Sequence, residues 1–92
     1  MSEELKNKII ELAKEFKVTK LILFGSSLDS FEKSEDVDLV CDGLYDVNFF
    51  KFGLMLERIL NKPVDLLPFQ PLNSLVEHIV KNGLVIYDAE VN

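Results

Sequence analysis

Apolar residues recur along this chain with two periods, one typical of helices and one typical of strands. Residues 5 to 16 place apolar side chains three and four positions apart, which predicts a helix that Ser2 can cap. The same spacing returns at about residues 46 to 61 and 71 to 82, and predicts two more long helices. Short apolar or alternating stretches predict four strands: Leu21–Phe24, Asp36–Asp42, Pro63–Pro68 and Leu84–Tyr87.

The helix ends are predicted from residues that favour such positions. Asp46 or Asn48 is expected to cap the second long helix, and Pro71 suits the first turn of the last one. Gly83 is expected to stop that helix. One stripe of the last helix is expected to pack on the sheet, with these apolar members: Leu72, Leu75, Val76, Ile79 and Val80.

The second long helix has an unusually broad apolar arc. Its apolar side chains are Phe49, Phe50, Phe52, Leu54, Met55, Leu56, Ile59 and Leu60. So wide an arc is explained either by a helix buried under the sheet or by one that also contacts a partner. Both interpretations stay open from the sequence.

The order of the elements predicts the fold class. Helices alternate with strands, with a turn at Gly25 between the first two strands, which favours an α/β domain. We expect a small mixed β-sheet of about four strands covered by three to four helices. At 92 residues and 48% hydrophobic composition, residues 1–92 are expected to form one domain with one core.

Charge and composition exclude several classes of function. A formal charge of −6 and a pI near 4.6 argue against broad nucleic-acid binding. Apolar runs are too short for a membrane span and the N-terminus does not resemble a signal peptide, so a cytoplasmic location is expected. Cys41 is the single cysteine, which excludes an internal disulfide and favours a packed thiol.

The stretch from Leu21 to Ser27 has the features of a phosphate-binding turn. Four apolar residues end at Gly25, where the absent Cβ lets a phosphate approach the main chain. Ser26 and Ser27 then offer hydroxyls and backbone N–H groups to phosphate oxygens, if a helical turn begins there.

Acidic residues follow on the second and third predicted strands. Asp36 and Asp38 are two positions apart, so their carboxylates are expected on one face of the strand. Their mutual repulsion would favour a divalent cation, and Mg²⁺ prefers carboxylates together with substrate phosphates. Asp65 lies in an apolar strand, where a carboxylate is costly unless it is paired or binds metal.

Two motifs in this stretch resemble a known superfamily. Leu23-Phe24-Gly25-Ser26, followed by Asp36-Val37-Asp38-Leu39-Val40, is similar to the signature of the DNA polymerase β-type nucleotidyltransferases, in particular the minimal members called MNT domains. Asp65 matches the third acidic position of that pattern. The resemblance implies that Asp36, Asp38 and Asp65 are catalytic and hold two Mg²⁺ ions. It also implies that Gly25 and Ser26, with Ser27 beside them, bind the nucleoside triphosphate.

The resemblance further implies an activity and a partner. It predicts transfer of a nucleoside monophosphate, AMP from ATP, to a hydroxyl of a partner macromolecule, the chain being the antitoxin of a HEPN-domain protein. The alternative is a catalytically weak or inactive module that acts by binding its partner, favoured by Asp29 and by a shortened loop without arginine. A third interpretation treats the aspartates as ordinary surface acids. A homodimer or a hetero-complex fits either of the first two.

Overall fold

The computed structural model describes residues 1–91, whose elements alternate between helix and strand. In chain order they are α1 (Glu3–Phe16), β1 (Lys20–Phe24), α2 (Ser26–Asp29), β2 (Val37–Asp42), α3 (Asp46–Leu60), β3 (Val64–Pro68), α4 (Ser74–Asn82) and β4 (Leu84–Asp88). Within residues 1–91, no helix combines the length and the apolar character that crossing a membrane requires.

The four strands form one mixed sheet in the order β3-β2-β1-β4. Strand β1 is antiparallel to both β2 and β4, whereas β2 and β3 run parallel. The parallel pair is possible because α3 connects the end of β2 to the start of β3. The predicted α/β class, with a small mixed sheet and covering helices, is confirmed.

Helices α1 and α3 cover one face of the sheet, here called the α1/α3 face. Val37, Leu39 and Cys41 of β2 point to this face and are essentially inaccessible to solvent. Phe52 of α3 packs there with the Phe16 ring, the two centroids being 5.4 Å apart. This face contains the larger part of the hydrophobic core.

The opposite face, here called the α4 face, is covered by one short helix. Ile22 of β1 and Val40 of β2 form a small buried cluster with Val76 and Ile79 of α4. Because strand side chains alternate, Asp38 lies on the same face as Val40. The carboxylate therefore stands beside a small apolar cluster rather than within the main core.

The first helix is capped as its sequence predicts. The N–H of Leu5 donates to the Ser2 hydroxyl oxygen at 3.1 Å, and Glu3 and Glu4 lie in the first turn. The helix ends at Phe16, and Lys17 follows in the left-handed conformation at φ 64°.

The predicted starts of α3 and α4 are wrong. Tyr45 precedes α3 and offers no side-chain cap, while Asp46 is already the first helical residue. Helix α4 begins at Ser74 rather than near Pro71, since Asn73 Oδ1 accepts a hydrogen bond from the Val76 N–H at 2.9 Å. Asn73 satisfies a backbone N–H of the first turn, which would otherwise lack a partner, whereas a proline in the first turn supplies no such hydrogen bond. The stop before Gly83 is confirmed.

Several side chains expected in the core face solvent instead. Of the predicted stripe on α4, only Val76 and Ile79 are buried, because a lone helix on a narrow sheet contacts it along one line. The exposed members are Leu72, Leu75 and Val80. In α3 the broad arc is divided: Phe52 is fully buried, whereas Phe50 is 74% exposed and Leu54 61% exposed.

Strand β3 forms one edge of the sheet, starting one residue later than expected. The Val37 N–H donates to the Pro63 carbonyl oxygen at 2.9 Å. The backbone carbonyl of Pro63 therefore points towards β2, and the backbone N–H of Val64 points away from the sheet. The outward Val64 N–H donates to the Glu57 carboxylate at 2.8 Å. At the far end, the outward position is Pro68, which has no N–H.

Candidate active site

The turn after β1 brings the backbone against a carboxylate. Gly25 has φ +75°, a conformation that favours glycine, and a Cβ at this position would overlap the Asp38 carboxylate. Gly25 and Ser26 are both exposed. The turn therefore leaves its backbone accessible, directly beside the Asp38 carboxylate. A phosphate could approach this exposed backbone closely.

Ser27 has a structural role that the sequence did not reveal. Its side chain is buried, and its hydroxyl donates to the Phe24 carbonyl oxygen at 3.1 Å. The Ser27 hydroxyl oxygen also accepts a hydrogen bond from the Asp38 N–H at 3.4 Å. The Ser27 side chain therefore links β1 to β2 rather than facing a nucleotide. The predicted contact between Ser27 and the nucleotide therefore remains a prediction only for the Ser27 backbone N–H.

Two of the predicted acidic residues are neighbours across the parallel strands. Asp38 pairs in register with Asp65, so both side chains lie on the α4 face at the same level. Asp36 was expected on the strand, yet it precedes β2, because the ladder begins where the Val37 N–H meets Pro63. It is exposed in the bend that enters the strand.

The electrostatics of Asp38 reflect this crowding. Partial burial raises the pKa of Asp38 above its usual value of 3.8, and the neighbouring charges of Asp36 and then Asp65 raise it further. All three carboxylates thus contribute to one local field.

By contrast, burial raises the pKa of the Cys41 thiol to about 12, with a smaller contribution from Asp42. Cys41 is therefore a packing residue, in agreement with the sequence.

The acidic residues do not by themselves enclose a metal ion. Among residues 1–91, no three histidine, cysteine or acidic side chains are arranged to hold one. Mg²⁺ commonly takes only one or two protein carboxylates and completes its shell with water and substrate phosphates. The donor set of Asp38 and Asp65, with Asp36 nearby, fits a metal that arrives with a phosphorylated substrate. The assignment of all three as ligands remains a prediction.

The loop between α2 and β2 is held by a lysine that sequence reasoning missed. The Lys62 ammonium Nζ donates to the carbonyl oxygens of Phe31 and Ser34. It also lies 4.5 Å from the centroid of the Phe31 ring. No local pattern identifies such a contact, because loop and lysine are far apart in sequence. It joins the segment before Asp36 to the segment before Asp65.

A family model described as polymerase beta, nucleotidyltransferase, matches residues 7–92. The chain belongs to the polymerase β nucleotidyltransferase family. No curated protein matches it significantly. The family model spans both motifs, so the Gly-Ser turn and the aspartates of this nucleotidyltransferase domain lie within the matched region.

Solved structures share the fold of this nucleotidyltransferase domain. One is the complex of a tri-AMPylated Shewanella oneidensis HEPN toxin with MNT antitoxin, at TM-score 0.73 and 22% identity, covering 99% of this chain and 76% of the other. A toxin-antitoxin with AMP-PNP gives 0.74 and 22%, covering 94% and 75%. The toxin-antitoxin MntA-HepT gives 0.72 and 20%, covering 98% and 75%. At these identities the likeness shows a common fold.

Proposed function

We propose that this nucleotidyltransferase-family chain transfers AMP from ATP to a hydroxyl group of a partner protein, using Mg²⁺. We further propose that the partner is a HEPN-domain toxin, for which the chain is the antitoxin. The nucleotide and the partner are suggested by structures of the same fold, one solved with AMP-PNP and one holding an AMPylated HEPN toxin.

One observation carries the proposal. The exposed Gly25 lies so close to Asp38 that a Cβ at this position would overlap the Asp38 carboxylate, and Asp38 in turn is level with Asp65 on the adjacent strand. A phosphate held at the turn is then next to two carboxylates. Because these anionic groups repel one another, the arrangement is favourable only with a cation bound between them, which is the role proposed for Mg²⁺.

The proposed reaction is an in-line displacement at phosphorus. The acceptor oxygen forms a bond to the α-phosphorus of ATP, and the bond from that phosphorus to the bridging oxygen of the β-phosphate breaks. Pyrophosphate leaves, and the hydroxyl proton passes to Asp65. Asp65 suits this role because its carboxylate is exposed at the edge strand, where an acceptor can reach it.

The metal requirement follows from the type of ligand. Asp36, Asp38 and Asp65 would hold Mg²⁺ together with the triphosphate. When bound, Mg²⁺ neutralises the phosphate charge and stabilises the attacking and departing oxygens. Gly25 and Ser26 would bind the phosphates through the main chain and the exposed hydroxyl. The Ser27 hydroxyl holds β2 in place, so that the Asp38 N–H stays directed towards the turn.

Transfer can be tested without knowing the acceptor. Purified chain, Mg²⁺ and α-labelled ATP are incubated with lysate of the source organism, and the bound proteins are recovered and identified. Asp38→Asn removes the central carboxylate. Asp42→Asn is the matched control, because it changes the same residue type on the same strand and face, and the new amide oxygen can still accept from Thr19 Oγ1.

The proposal predicts one labelled partner with wild type and with Asp42→Asn, and none with Asp38→Asn. Omission of Mg²⁺ should abolish the label as well. A partner recovered equally by all three proteins and never labelled would contradict the transfer reaction. A labelled partner without a HEPN domain would contradict the antitoxin assignment only.

A second function is favoured by α3. Val47, Phe50 and Leu54 are each more than 60% exposed and lie three to four positions apart, so they form one apolar row on its outer side. Such a row suits a module that acts by contact alone. In that case Phe50→Asp should abolish partner recovery, whereas Asp38→Asn should leave both recovery and neutralisation of the partner intact.

A further inference from the structure

Lys62 lies where the end of α3, the start of β3 and the loop before β2 meet. Its ammonium group donates to the Phe31 and Ser34 carbonyl oxygens, the second at 2.9 Å, and stacks on the buried Phe31 ring. The loop also closes on itself, since the Ser34 hydroxyl donates to the Phe31 carbonyl oxygen at 3.1 Å. The Lys62 side chain, which belongs to a different segment of the chain, therefore holds this loop through two hydrogen bonds.

The segments that Lys62 joins are the two that lead to the acidic residues. Asp36 follows Ser34 by two positions, and Asp65 follows Lys62 by three. The strands themselves are joined by the Val37–Pro63 hydrogen bond at 2.9 Å. That bond aligns Asp38 with Asp65, but Asp36 precedes the ladder and is exposed. The position of Asp36 therefore depends on the loop, and so on Lys62.

We infer that Lys62 is a positioning residue that sets where Asp36 stands relative to Asp38 and Asp65. The inference rests on the proposed function, because the carboxylates that it aligns are those proposed to bind Mg²⁺ and ATP. A lysine suits the task, since its three donors can satisfy both carbonyl oxygens while the ammonium group lies over the Phe31 ring. Groups that orient metal ligands in this way typically change metal affinity by 10–100-fold when removed.

A purely structural role predicts a different outcome. If Lys62 only stabilised the fold, its loss would lower the melting temperature and leave metal binding by the folded protein unchanged. If it positions Asp36, the folded protein itself binds metal more weakly. The two roles are separated by measuring binding at a temperature where circular dichroism shows that every variant is folded.

Three variants isolate the effect. Lys62→Met keeps a long side chain against Phe31 and removes the ammonium donors. Lys62→Arg keeps a cation and donors. Lys20→Met is the matched control, because Lys20 also makes a polar contact, to Asp88 at 3.7 Å, but at the opposite end of β1 from Gly25. The probe is Mn²⁺ with α,β-methylene ATP, followed by electron paramagnetic resonance, together with amide hydrogen exchange of residues 30–36.

We expect Lys62→Met to bind Mn²⁺ about tenfold more weakly and to exchange its loop amides faster, with Lys62→Arg recovering most of both properties and Lys20→Met unchanged. Wild-type affinity in Lys62→Met, or an equal loss in Lys20→Met, would overturn the inference. Absence of AMP transfer by wild type, with Mn²⁺ binding retained and lost in Lys62→Met, would refute the proposed reaction and leave the positioning role standing. Wild type that binds no Mn²⁺ would refute both.

Discussion

The two faces of β2 differ in what they contribute to the molecule. On the α1/α3 face, Val37, Leu39 and Cys41 are sealed from solvent under two long helices. On the α4 face, Val40 is equally buried, yet Asp38, two residues away, is only partly buried and has a raised pKa. The residues of β2 that point to α1 and α3 thus stabilise the core, whereas Asp38, on the face covered by α4, belongs to the candidate site.

The helices that cover the two faces differ in length. Helices α1 and α3 span 14 and 15 residues, whereas α4 has nine. A short helix covers only part of a strand's length, since its rise is 1.5 Å per residue against about 3.3 Å in a strand. On the α4 face, Gly25, Ser26 and Asp65 are exposed, so the Gly25 end of the sheet is accessible to a substrate.

The largest effect is expected from a cavity on the α1/α3 face. Phe52 is fully buried, so Phe52→Ala should lower the free energy of unfolding by about 3–5 kcal/mol, as measured by urea denaturation. Phe50→Ala is the control on the same helix, and because Phe50 is 74% exposed we expect a change within about 0.5 kcal/mol. Equal losses in the two variants would contradict the division of α3 into a buried and an exposed side.

The next largest effect is expected on the α4 face at the turn. Gly25→Ala forces a side chain into a positive φ and against Asp38, which should cost about 1–3 kcal/mol and abolish binding of Mg²⁺ with ATP in calorimetry. In Gly53→Ala the new Cβ would lie 3.7 Å from Leu66 Cδ2, an ordinary contact. That control should gain about 0.5–1 kcal/mol and keep binding. Retained binding in Gly25→Ala would contradict the close approach at the turn.

A smaller effect is expected where α4 begins. Asn73→Ala removes the acceptor of the Val76 N–H and should cost about 1 kcal/mol in thermal or urea denaturation. Asn73→Asp keeps the acceptor and should remain close to wild type. Because α4 covers only the α4 face, the loss should speed hydrogen exchange in α4 more than in α1. Uniform acceleration in both helices would show that the two faces open together.

The smallest effect is expected from the charge of Asp38 on the α4 face. The folded state raises the pKa of Asp38, so between pH 3.8 and that raised value the folded chain holds more protons than the unfolded chain, and stability falls as pH rises. Without metal, Asp38→Asn should therefore raise the melting temperature at pH 7, and the gain should shrink as pH falls towards 4. Asp65→Asn, which removes a lesser cause of the shift, should give a smaller gain. A gain independent of pH would contradict the assigned cause.

Much of this fold was predictable because period and turn chemistry are local. The alternation in β2 predicted its two faces, and Gly25 and the aspartates indicated a phosphate and metal site at one end of the sheet. Gly25 lies against Asp38 because β1 pairs antiparallel with β2, with Phe24 opposite Asp38, and Asp38 is level with Asp65 because β2 and β3 run parallel. Neither register can be read from the sequence.

The remaining features depend on contacts between distant residues. Ser27 bridges two strands, and Lys62 reaches a loop about 30 residues before it; neither contact leaves a pattern in the sequence. The start of α4 was expected near Pro71, and only the observed hydrogen bond from the Val76 N–H to Asn73 Oδ1 identifies Asn73 as the cap. The exposure of Leu75 and Phe50 depends on how little of each helix the narrow sheet can cover.

The edge at β3 determines how this protein can meet its neighbours. Glu57 occupies the outward N–H of Val64, and Pro68 offers none, so donors are removed at both ends of a five-residue strand. An incoming strand would find too few rungs to pair with, which guards against stacking into fibrils at high concentration. A partner that binds along β3 must therefore be recognised by side chains rather than by backbone pairing, and side chains can distinguish one partner from another.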